Sequence, residues 1–529
     1  MIQIFTGSTI GNWGSVSNWT SGSIPQLDDI VIFDSLSPTC SLNITGTCSS
    51  IDFSNYNKQF RFNANILNVY GTVSFGPNMG YSFSTSTTGY NLYQISNTSS
   101  NVNFSITTNG ATVGVPFIIY GGGSTTTHNI TGNLNMSENL SISAGGGAIV
   151  QTVNGSTISC LKNLRFNDIG GNSSNNGTTG SATILMIGTG NIGYAGGSNN
   201  GLNNSLTINT SGTITLLNSI NIKGNLNWIS GNSAGAFNFL WNASATFSNI
   251  PFNSGAYASF GIGTNGNYIL NLVNDFYTTK QITTVGGQLN NGNIYTVGGI
   301  NNVTNTLSGS SLITITGTSS SSSSNVTATT GFNNNVVINT PGIVALSGIW
   351  GGSTFLYTAG NVNPTTFTVA GSNATITMPS NKFTTVSIGS LNQTITLLAN
   401  WNMTTLSLGT SNISFTGSSV WTTDTLSNIS NAATSILTLK NGFTYSVLKQ
   451  IIIGPSNYSN YITIQSGLSA SYSNLYLAPG ATQTIYSLNM KDVNNVGTPL
   501  WIFNPTYSNS TNIWNLNYLS PQQTTINSW

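Results

Sequence analysis

The side chains best suited to acid–base chemistry in this sequence are nine carboxylates and one histidine. The carboxylates are Asp28, Asp29, Asp34, Asp52, Glu138, Asp168, Asp275, Asp424 and Asp492. Glycoside cleavage needs two of them about 5–9.5 Å apart. Beyond residue 60 the nearest acids in sequence, Glu138 and Asp168, are 30 positions apart (168 − 138). Glu138 and Asp168 are the one candidate catalytic pair. The favoured interpretation is that they are single carboxylates in turns, or that they pair with Lys162 and Arg165.

Nucleophilic and metal chemistry find little support in the sequence. His128 lies in GGGSTTTHNITG, which predicts a loop, and no acid is near it in sequence to orient it as a base. One histidine and three scattered cysteines cannot supply the usual zinc ligands. The glycine-rich segments lack the GK[ST] ending of a phosphate loop. We therefore predict no enzyme, no catalytic residue, no metal site and no cofactor.

Two features near the N-terminus leave alternatives open. Asp28, Asp29 and Asp34 could hold a calcium ion, although adjacent carboxylates in turns are more often solvated turn formers. Cys40 and Cys48 could pair across adjacent turns, whereas buried free thiols are the favoured interpretation for these two and for Cys160.

Several aromatic residues lie in Gly/Ser/Thr surroundings, where an exposed ring could stack on a sugar. They are Trp241, Trp350, Trp401, Trp421 and Tyr357. Aromatic side chains in strands are more often part of the core, so the ligand-binding residues stay unknown at this point.

The elements that would position these side chains are strands. Only 4% of the residues are charged, the net charge is +1, and Glu138 is the only glutamate. The chain is nevertheless 38% hydrophobic, which argues against disorder and, with so few helix formers, predicts an all-β fold. The scattered Lys and Arg residues predict no nucleic-acid partner. No apolar run reaches the roughly 18–20 residues needed for membrane insertion, and the first residues lack a Sec signal pattern.

The spacing of apolar residues indicates stacked coils. In the stretch 386–417, short runs alternate apolar and hydroxyl residues, and Ile388 and Leu408 are 20 positions apart (408 − 388). Three short strands and three turns need about that length, which predicts one coil of a right-handed parallel β-helix. INTSGTITL at 208–216 is echoed by INTPGIVAL at 338–346, and TITLL occurs at 213–217 and 394–398, so modules of several coils recur about 130 and 180 residues apart.

This pattern predicts a division into three segments: an N-terminal cap over 1–50, a solenoid shaft over 51–490 and a C-terminal cap or interaction segment over 491–529. Low-complexity stretches at 121–123, 145–147, 169–203, 286–301 and 318–324 are predicted to be loops on one side. An uncharged, Asn-rich β stack would aggregate at an open end, so we expect both ends to be blocked, by caps or by neighbouring subunits. The tryptophans near the two ends fit that need: Trp13, Trp19, Trp501, Trp514 and Trp529.

The segment NWG-VSNWTSGSIPQLDDIVIF resembles the N-termini of bacterial and phage parallel β-helix proteins, with two Asn-Trp units, a Gly/Pro turn, an Asp pair and a first strand. More weakly, SLNMKDVNNVGTPLWIFNPTYSNSTNIWNL resembles their closing coil, with Asp492, Trp501 and Trp514 in the matching places. The likeness carries no catalytic residues.

With the missing signal pattern, this resemblance implies a structural or adhesive virion component, such as a tail fibre, spike or capsid-attached fibre. We expect a homo-oligomer, with a trimer favoured, located at a virion or extracellular surface. Its expected partners are other virion or surface proteins and a cell-surface glycan. The alternatives are a cell-surface adhesin, sheath or surface-layer subunit, and a polysaccharide-degrading tailspike.

Overall fold

The structure of the chain is a computed structural model. It describes residues 1–7, 9–82, 92–96, 102–121, 126–144, 150–166, 177–194, 202–235, 238–249, 258, 260–264, 266–302, 307–316, 323–328, 333–350, 354–362, 366–369, 374–376, 383–388, 393–397, 400–409, 412–428, 435–454, 462–486, 488–502, 506–508, 513–515 and 526–527. Two compact units, Met1–Phe276 and Tyr277–Trp529, are described in turn.

The first unit is a β-solenoid of parallel coils, as the apolar spacing predicts, with one 3-10 turn at Val16–Asn18. Its strands are β1 (Ile2–Ile4), β2 (Ile10–Asn12), β3 (Ile30–Ile32), β4 (Thr39–Ser41), β5 (Gly46–Cys48), β6 (Ser50–Asp52), β7 (Gln59–Arg61), β8 (Leu67–Val69), β9 (Val73–Ser74), β10 (Gly80–Ser82), β11 (Leu92–Ser96), β12 (Val102–Thr107), β13 (Thr112–Val113), β14 (Phe117–Gly121), β15 (Thr126–Thr131), β16 (Leu134–Met136), β17 (Leu140–Ala144), β18 (Val150–Gly155), β19 (Ile158–Cys160), β20 (Leu164–Phe166), β21 (Gly177–Thr179), β22 (Ile184–Met186), β23 (Gly190–Tyr194), β24 (Leu206–Leu216), β25 (Ile220–Ile222), β26 (Leu226–Ala234), β27 (Asn238–Trp241), β28 (Ala245–Asn249), β29 (Gly261–Thr264) and β30 (Ile269–Leu272).

Successive coils place like residues one above another. Along β3, β6, β9, β12 and β15 the register aligns Val31, Ile51, Val73, Ile106 and Ile130, all buried. Because side chains alternate across a strand, their sequence neighbours point outward. Each fully buried Val or Ile contributes about 1.5–3 kcal/mol, so such columns form the core that holds the coils together.

Asparagine side chains connect the coils at their corners. Asn139, Asn163 and Asn191 each precede a buried Leu or Ile in successive coils. The Asn163 Nδ2–H donates to Asn139 Oδ1 (3.0 Å), and the Asn191 backbone N–H donates to Asn163 Oδ1 (2.9 Å). This is a hydrogen-bonded ladder that satisfies backbone donors without charged groups.

A strap, residues 15–21, crosses the N-terminal end of the stack and pairs with the free edge of β1 at Ile4. The Thr20 N–H donates to Ile4 O (3.1 Å), and the Thr6 N–H donates to Asn18 O (2.9 Å). This strap runs antiparallel to β1, and Phe5 forms an antiparallel bridge with Trp19. An added strand would therefore find these edge groups occupied.

Aromatic packing anchors the strap. The Trp19 ring lies 5.0 Å from Phe5 and 4.9 Å from Trp13 between centroids, and its Nε1–H donates to Trp13 O (2.7 Å). Both tryptophans are buried. Trp13 and Trp19 thus pack against each other beneath the strap.

The second unit, described by itself, is also built of parallel coils. Its strands are β31 (Phe276–Thr278), β32 (Ile282–Thr284), β33 (Gly287–Asn291), β34 (Ile294–Thr296), β35 (Gly299–Asn302), β36 (Leu307–Ser308), β37 (Ile313–Thr316), β38 (Ser323–Ala328), β39 (Val336–Trp350), β40 (Thr354–Val362), β41 (Thr366–Val369), β42 (Ala374–Ile376), β43 (Phe383–Ile388), β44 (Gln393–Leu397), β45 (Trp401–Leu408), β46 (Ile413–Gly417), β47 (Trp421–Asn428), β48 (Ile436–Leu439), β49 (Thr444–Ile453), β50 (Ile462–Ser466), β51 (Ser473–Leu477), β52 (Thr482–Ile485), β53 (Leu488–Lys491), β54 (Val493–Gly497), β55 (Leu500–Ile502), β56 (Thr506–Ser508), β57 (Ile513–Asn515) and β58 (Ile526–Asn527).

The stretch 386–417 forms one coil and the start of the next, as predicted. Ile388 pairs with Leu408, and Ile395 pairs with Phe415, each 20 residues further on (408 − 388; 415 − 395). Near the C-terminus β52 pairs antiparallel with β58, whereas β55 and β57 pair in parallel and align Trp501 with Trp514. Trp529 lies outside the described residues, and the division at residues 50 and 490 stays a prediction.

The repeat spaced by 130 residues is structural. β24 pairs with β26, and β39 pairs with β40; in both pairs the register shifts on either side of an asparagine, Asn209 or Asn339 (339 − 209 = 130). The spacing of 180 is not a structural repeat. The first TITLL lies after the bulge of β24, but the second lies on β44, which aligns through β42 and β40 with the part of β39 before its bulge.

Some predicted loops are strands. Residues 286–301 contain β33, β34 and most of β35, and β21, β22 and β23 lie within 169–203. Gly121 ends β14, and residues 323 and 324 begin β38. Low sequence complexity did not predict loops correctly here. A Gly- or Asn-rich strand needs only its inward positions to be apolar, as the buried Ile294 and Ile300 show. Residues 122–123, 145–147, 169–176, 195–201 and 318–322 of the predicted loops lie outside the described part of the chain.

Candidate functional site

His128 lies inside the solenoid, so its predicted position in a loop was wrong. It is in β15, has no exposed surface, and aligns with Phe104 and Val153 of the adjacent coils. Its Nδ1 lies 2.9 Å from Gln94 Oε1 and its Nε2 lies 3.2 Å from Gln151 Oε1. The turn-forming residues before it hid the strand from sequence reasoning, because the inward residues here are polar.

The hydrogen bonds of Gln94 determine which nitrogen of His128 carries the proton. Gln94 Nε2 donates to Gly71 O (2.8 Å) and Ser105 O (3.3 Å), so its Oε1 faces the histidine. A neutral imidazole then donates from Nδ1 and accepts at Nε2. Gln151 Nε2 is buried without a partner in the orientation shown. Exchanging the Gln151 oxygen and nitrogen lets the amide N–H donate to His128 Nε2, and such assignments follow from the network.

This environment keeps His128 neutral. Burial is the main cause that lowers its pKa to about 4. Both ring nitrogens are occupied and the ring is inaccessible, so His128 is a structural element of the core and is not available to a substrate.

The carboxylates also have local partners. Glu138 accepts from Lys162 Nζ at 2.6 and 2.7 Å, one coil further on, which confirms the pairing favoured from the sequence. Asp424 pairs with Lys449 Nζ at 3.0 Å. Asp168, the other member of the candidate catalytic pair, lies outside the described residues.

The N-terminal acids form turns. Asp29 Oδ2 accepts from the Gln26 N–H (2.8 Å), and Oδ1 lies 3.0 Å from the Met1 amine. Partial burial would raise the pKa of Asp29, but these bonds and one from Gln3 lower it overall. Asp34 Oδ1 accepts from the Leu36 N–H (2.9 Å). No group of three or more His, Cys, Asp or Glu placed to hold a metal occurs in the described part of the chain.

The three cysteines, Cys40, Cys48 and Cys160, are free and buried, as the favoured interpretation has it. Burial raises the pKa of each thiol, that of Cys160 to about 11. Since the thiolate is the reactive form, none of them is an activated nucleophile.

Three of the five candidate sugar-stacking aromatics are core residues. Trp241, Trp401 and Trp421 are fully buried, and the side chains of Trp350 and Tyr357 lie outside the described part. Sequence reasoning missed a different pair: Tyr277 and Tyr295 stack one coil apart, 4.3 Å between centroids and 6° between planes, and both are partly exposed. The sequence did contain a signal for this pair. The strands FYT and IYT each place a Tyr at the outward position between two inward residues.

The most unusual surface is the outer side of the first two coils. β1 places Gln3 inside and Ile2 and Ile4 outside, and β3 adds Ile30 and Ile32 above them. These four isoleucines are called the Ile tile. Sequence reasoning missed it because alternation alone predicts that the isoleucines of β1 face the core.

Comparisons with known proteins add no relative: no family model, no curated protein and no solved structure matches the chain. In the described part of the chain, no helix has the length and apolar character needed to cross a membrane. The fold and the geometry of its surfaces are therefore the basis for inferring function.

Proposed function

We propose that this chain is a non-enzymatic structural or adhesive surface protein, most simply a virion component such as a tail fibre, spike or capsid-attached fibre. The observation that carries the proposal is the use, in each unit, of short coils with apolar inward columns and mostly uncharged polar outward residues. An outer column of the first unit changes from isoleucine to Asp52, Ser74, Thr107 and Thr131 in successive coils. Such a stack gives the unit a polar outer surface.

The cohesion of the coils fits a role outside the cell. Burial of the apolar columns stabilises the stacking of the coils, and a hydrogen bond between the neutral side chains of Asn139 and Asn163 links two coils. Neither depends on charge, so changes in salt concentration would affect cohesion little. We propose that the coils form a shaft, that the loops and ends make contact with the host or its glycans, and that three copies assemble.

The location is tested by raising antibodies to the purified chain and imaging gold-labelled virus particles and uninfected cells by electron microscopy. Labelling of particles supports the virion component. Labelling of cell envelopes in the absence of virus would replace it with the adhesin, sheath or surface-layer alternative.

Two further measurements address assembly and chemistry. Native mass spectrometry of the purified chain is expected to give a trimer, and a monomer at micromolar concentration would contradict that part of the proposal. Incubation with capsular and cell-wall glycans is expected to release no reducing ends. Release above that of heat-denatured protein would favour a polysaccharide-degrading tailspike.

A further inference from the structure

β1 reverses the usual arrangement of polar and apolar residues. Ile2 is 58% exposed, whereas Gln3 is 1% exposed. A shift of one residue would bury both isoleucines of β1 and expose the glutamine, and this would ordinarily be the favoured register. The observed register therefore exposes apolar surface at a cost, and such departures from local rules are expected at functional sites.

A polar network holds this register. Gln3 Nε2 lies 3.4 Å from Asp29 Oδ2, and Ser21 in the strap donates its hydroxyl to Gln3 Oε1. Asp29 is itself held by the Gln26 N–H. Since a buried amide without partners costs about 1–3 kcal/mol, these contacts are what makes an inward Gln3 acceptable.

The Ile tile is confined to the first two coils. Ile2 aligns with Ile30 and Ile4 with Ile32, but the next coil places Ser50 and Asp52 in the same columns. Ile30 is 43% exposed, and Leu27, in the turn before β3, is 39% exposed. Half of the large apolar side chains that are exposed in the described part of the chain lie within the first 44 residues.

Strand addition does not explain this surface, because the strap already pairs with β1 at Ile4 and the isoleucine side chains project from the outer face of the strand. A partner must therefore contact side chains on the outer face. Neighbouring coils are about 4.8 Å apart and alternate residues of a strand about 6.8 Å apart, so the tile offers a flat apolar area about one helix stripe wide.

The charges around the tile indicate the chemistry of the partner. Residues 1–57 contain Asp28, Asp29, Asp34 and Asp52, and no Lys or Arg occurs before Lys58; the Met1 amine is the cation of this segment and is paired with Asp29. Asp28 is exposed beside Leu27, and Asp52 is partly exposed above Ile32. A second copy docked face to face would bring acid against acid. A basic surface would be complementary.

We propose that the Ile tile is the docking surface for an amphipathic segment of another protein, with an apolar stripe flanked by Lys or Arg. The stripe covers the isoleucines, and the cations lie against Asp28 and Asp52. This docking surface does not depend on whether the chain belongs to a virion.

The test uses two fluorescent peptides of about 14 residues with leucine at helical spacing, one with lysine and one with glutamate at the polar positions. Binding to the full chain is measured by anisotropy at low salt. The lysine peptide is expected to bind, and the glutamate peptide at least about tenfold more weakly.

Variants identify the surface. Ile2→Thr/Ile30→Thr, which keeps strand propensity, is expected to weaken binding of the lysine peptide at least about tenfold, since two apolar contacts are lost. Asp28→Asn is expected to weaken it about twofold to threefold. The matched control Leu217→Thr/Ile229→Thr changes two other exposed apolar residues of the same unit, 41% and 45% exposed, and should bind as the wild type does.

Three outcomes would overturn the proposal: no binding of the lysine peptide, equal binding of both peptides, or equal binding by the tile variant. Sedimentation velocity adds a fourth, a wild-type oligomer that the tile variant dissociates, since the occupant would then be a second copy. Circular dichroism melting of each variant checks that the fold is retained.

Discussion

Asn204 and Asn334 occupy the same place in two coils 130 residues apart (334 − 204). Asn204 Nδ2 donates to the carbonyls of Val153, Gly180 and Ala182, at 3.0–3.3 Å. Asn334 Nδ2 donates in the same way to Leu289, Gly309 and Ser311, at 3.0–3.4 Å. Each amide therefore ties its own corner to the two preceding coils. In both sets the middle carbonyl belongs to a glycine with positive φ.

Replacing Asn204 with alanine should destabilise the first unit strongly. Buried carbonyls that lose their donor cost about 1–3 kcal/mol each, and some will find water, so we expect a loss of about 2–3 kcal/mol in the free energy of unfolding. The neighbouring Asn203 is exposed and is the matched control, with an expected loss below about 0.5 kcal/mol. Urea unfolding measures both. A loss of stability in Asn204→Ala as small as that in Asn203→Ala would show that the Asn204 amide is dispensable.

Acid should destabilise the coils around His128. The folded-state pKa is about 4 and the reference value is 6.5, so the unfolded chain binds more protons between these values. Stability is therefore intact above about pH 6.5 and falls as the pH decreases toward 4, by up to about 3 kcal/mol. Urea unfolding from pH 7.5 to 4 measures the slope.

The control for this prediction is His128→Leu. It is expected to be less stable at every pH, because Gln94 and Gln151 lose their partner, but its stability should vary much less between pH 6.5 and 5. A variant that keeps the wild-type slope over that interval would assign the pH dependence to other groups.

Two glycines of the second unit separate backbone conformation from close packing. Gly417 and Gly442 both have positive φ, but a Cβ on Gly417 would collide with the Leu397 carbonyl, whereas nothing lies within 4 Å of one on Gly442. Gly442→Ala should cost about 1 kcal/mol and Gly417→Ala at least about 3 kcal/mol. Denaturant midpoints compare them. A difference below about 1 kcal/mol would mean that the coils separate easily.

Removing the anchor of the strap should cause association of the chain. Trp19→Ala loses packing against Phe5 and Trp13 and frees the edge of β1, so we expect growing assemblies in light scattering and fibres in electron micrographs. Trp228→Ala is the matched control, because Trp228 is buried, stacks 5.0 Å from Phe260 and donates to Gly231 O (3.2 Å), but lies away from the end. Equal association of both variants would assign the effect to lost stability.

The coil was predictable where apolar residues alternate with hydroxyl residues, as at Ile388 and Leu408, because inward positions repeat at the length of a coil. The prediction failed where the inward residues are polar. His128 and Gln3 are buried through partners that are distant in sequence, and alternation cannot reveal such partners. The pairing of Glu138 with Lys162 was among the favoured pairings, but the Ile tile was missed because its register depends on contacts between coils.

The strap has a consequence for the number of coils. A parallel coil presents the same donors and acceptors to the coil before it and the coil after it, so nothing within the pattern tells the chain where to stop. The antiparallel bridge of Phe5 with Trp19 breaks that polarity. It acts as a chain terminator does in polymer growth, so that stacking at this end stops at the first coil and does not continue into a neighbouring molecule.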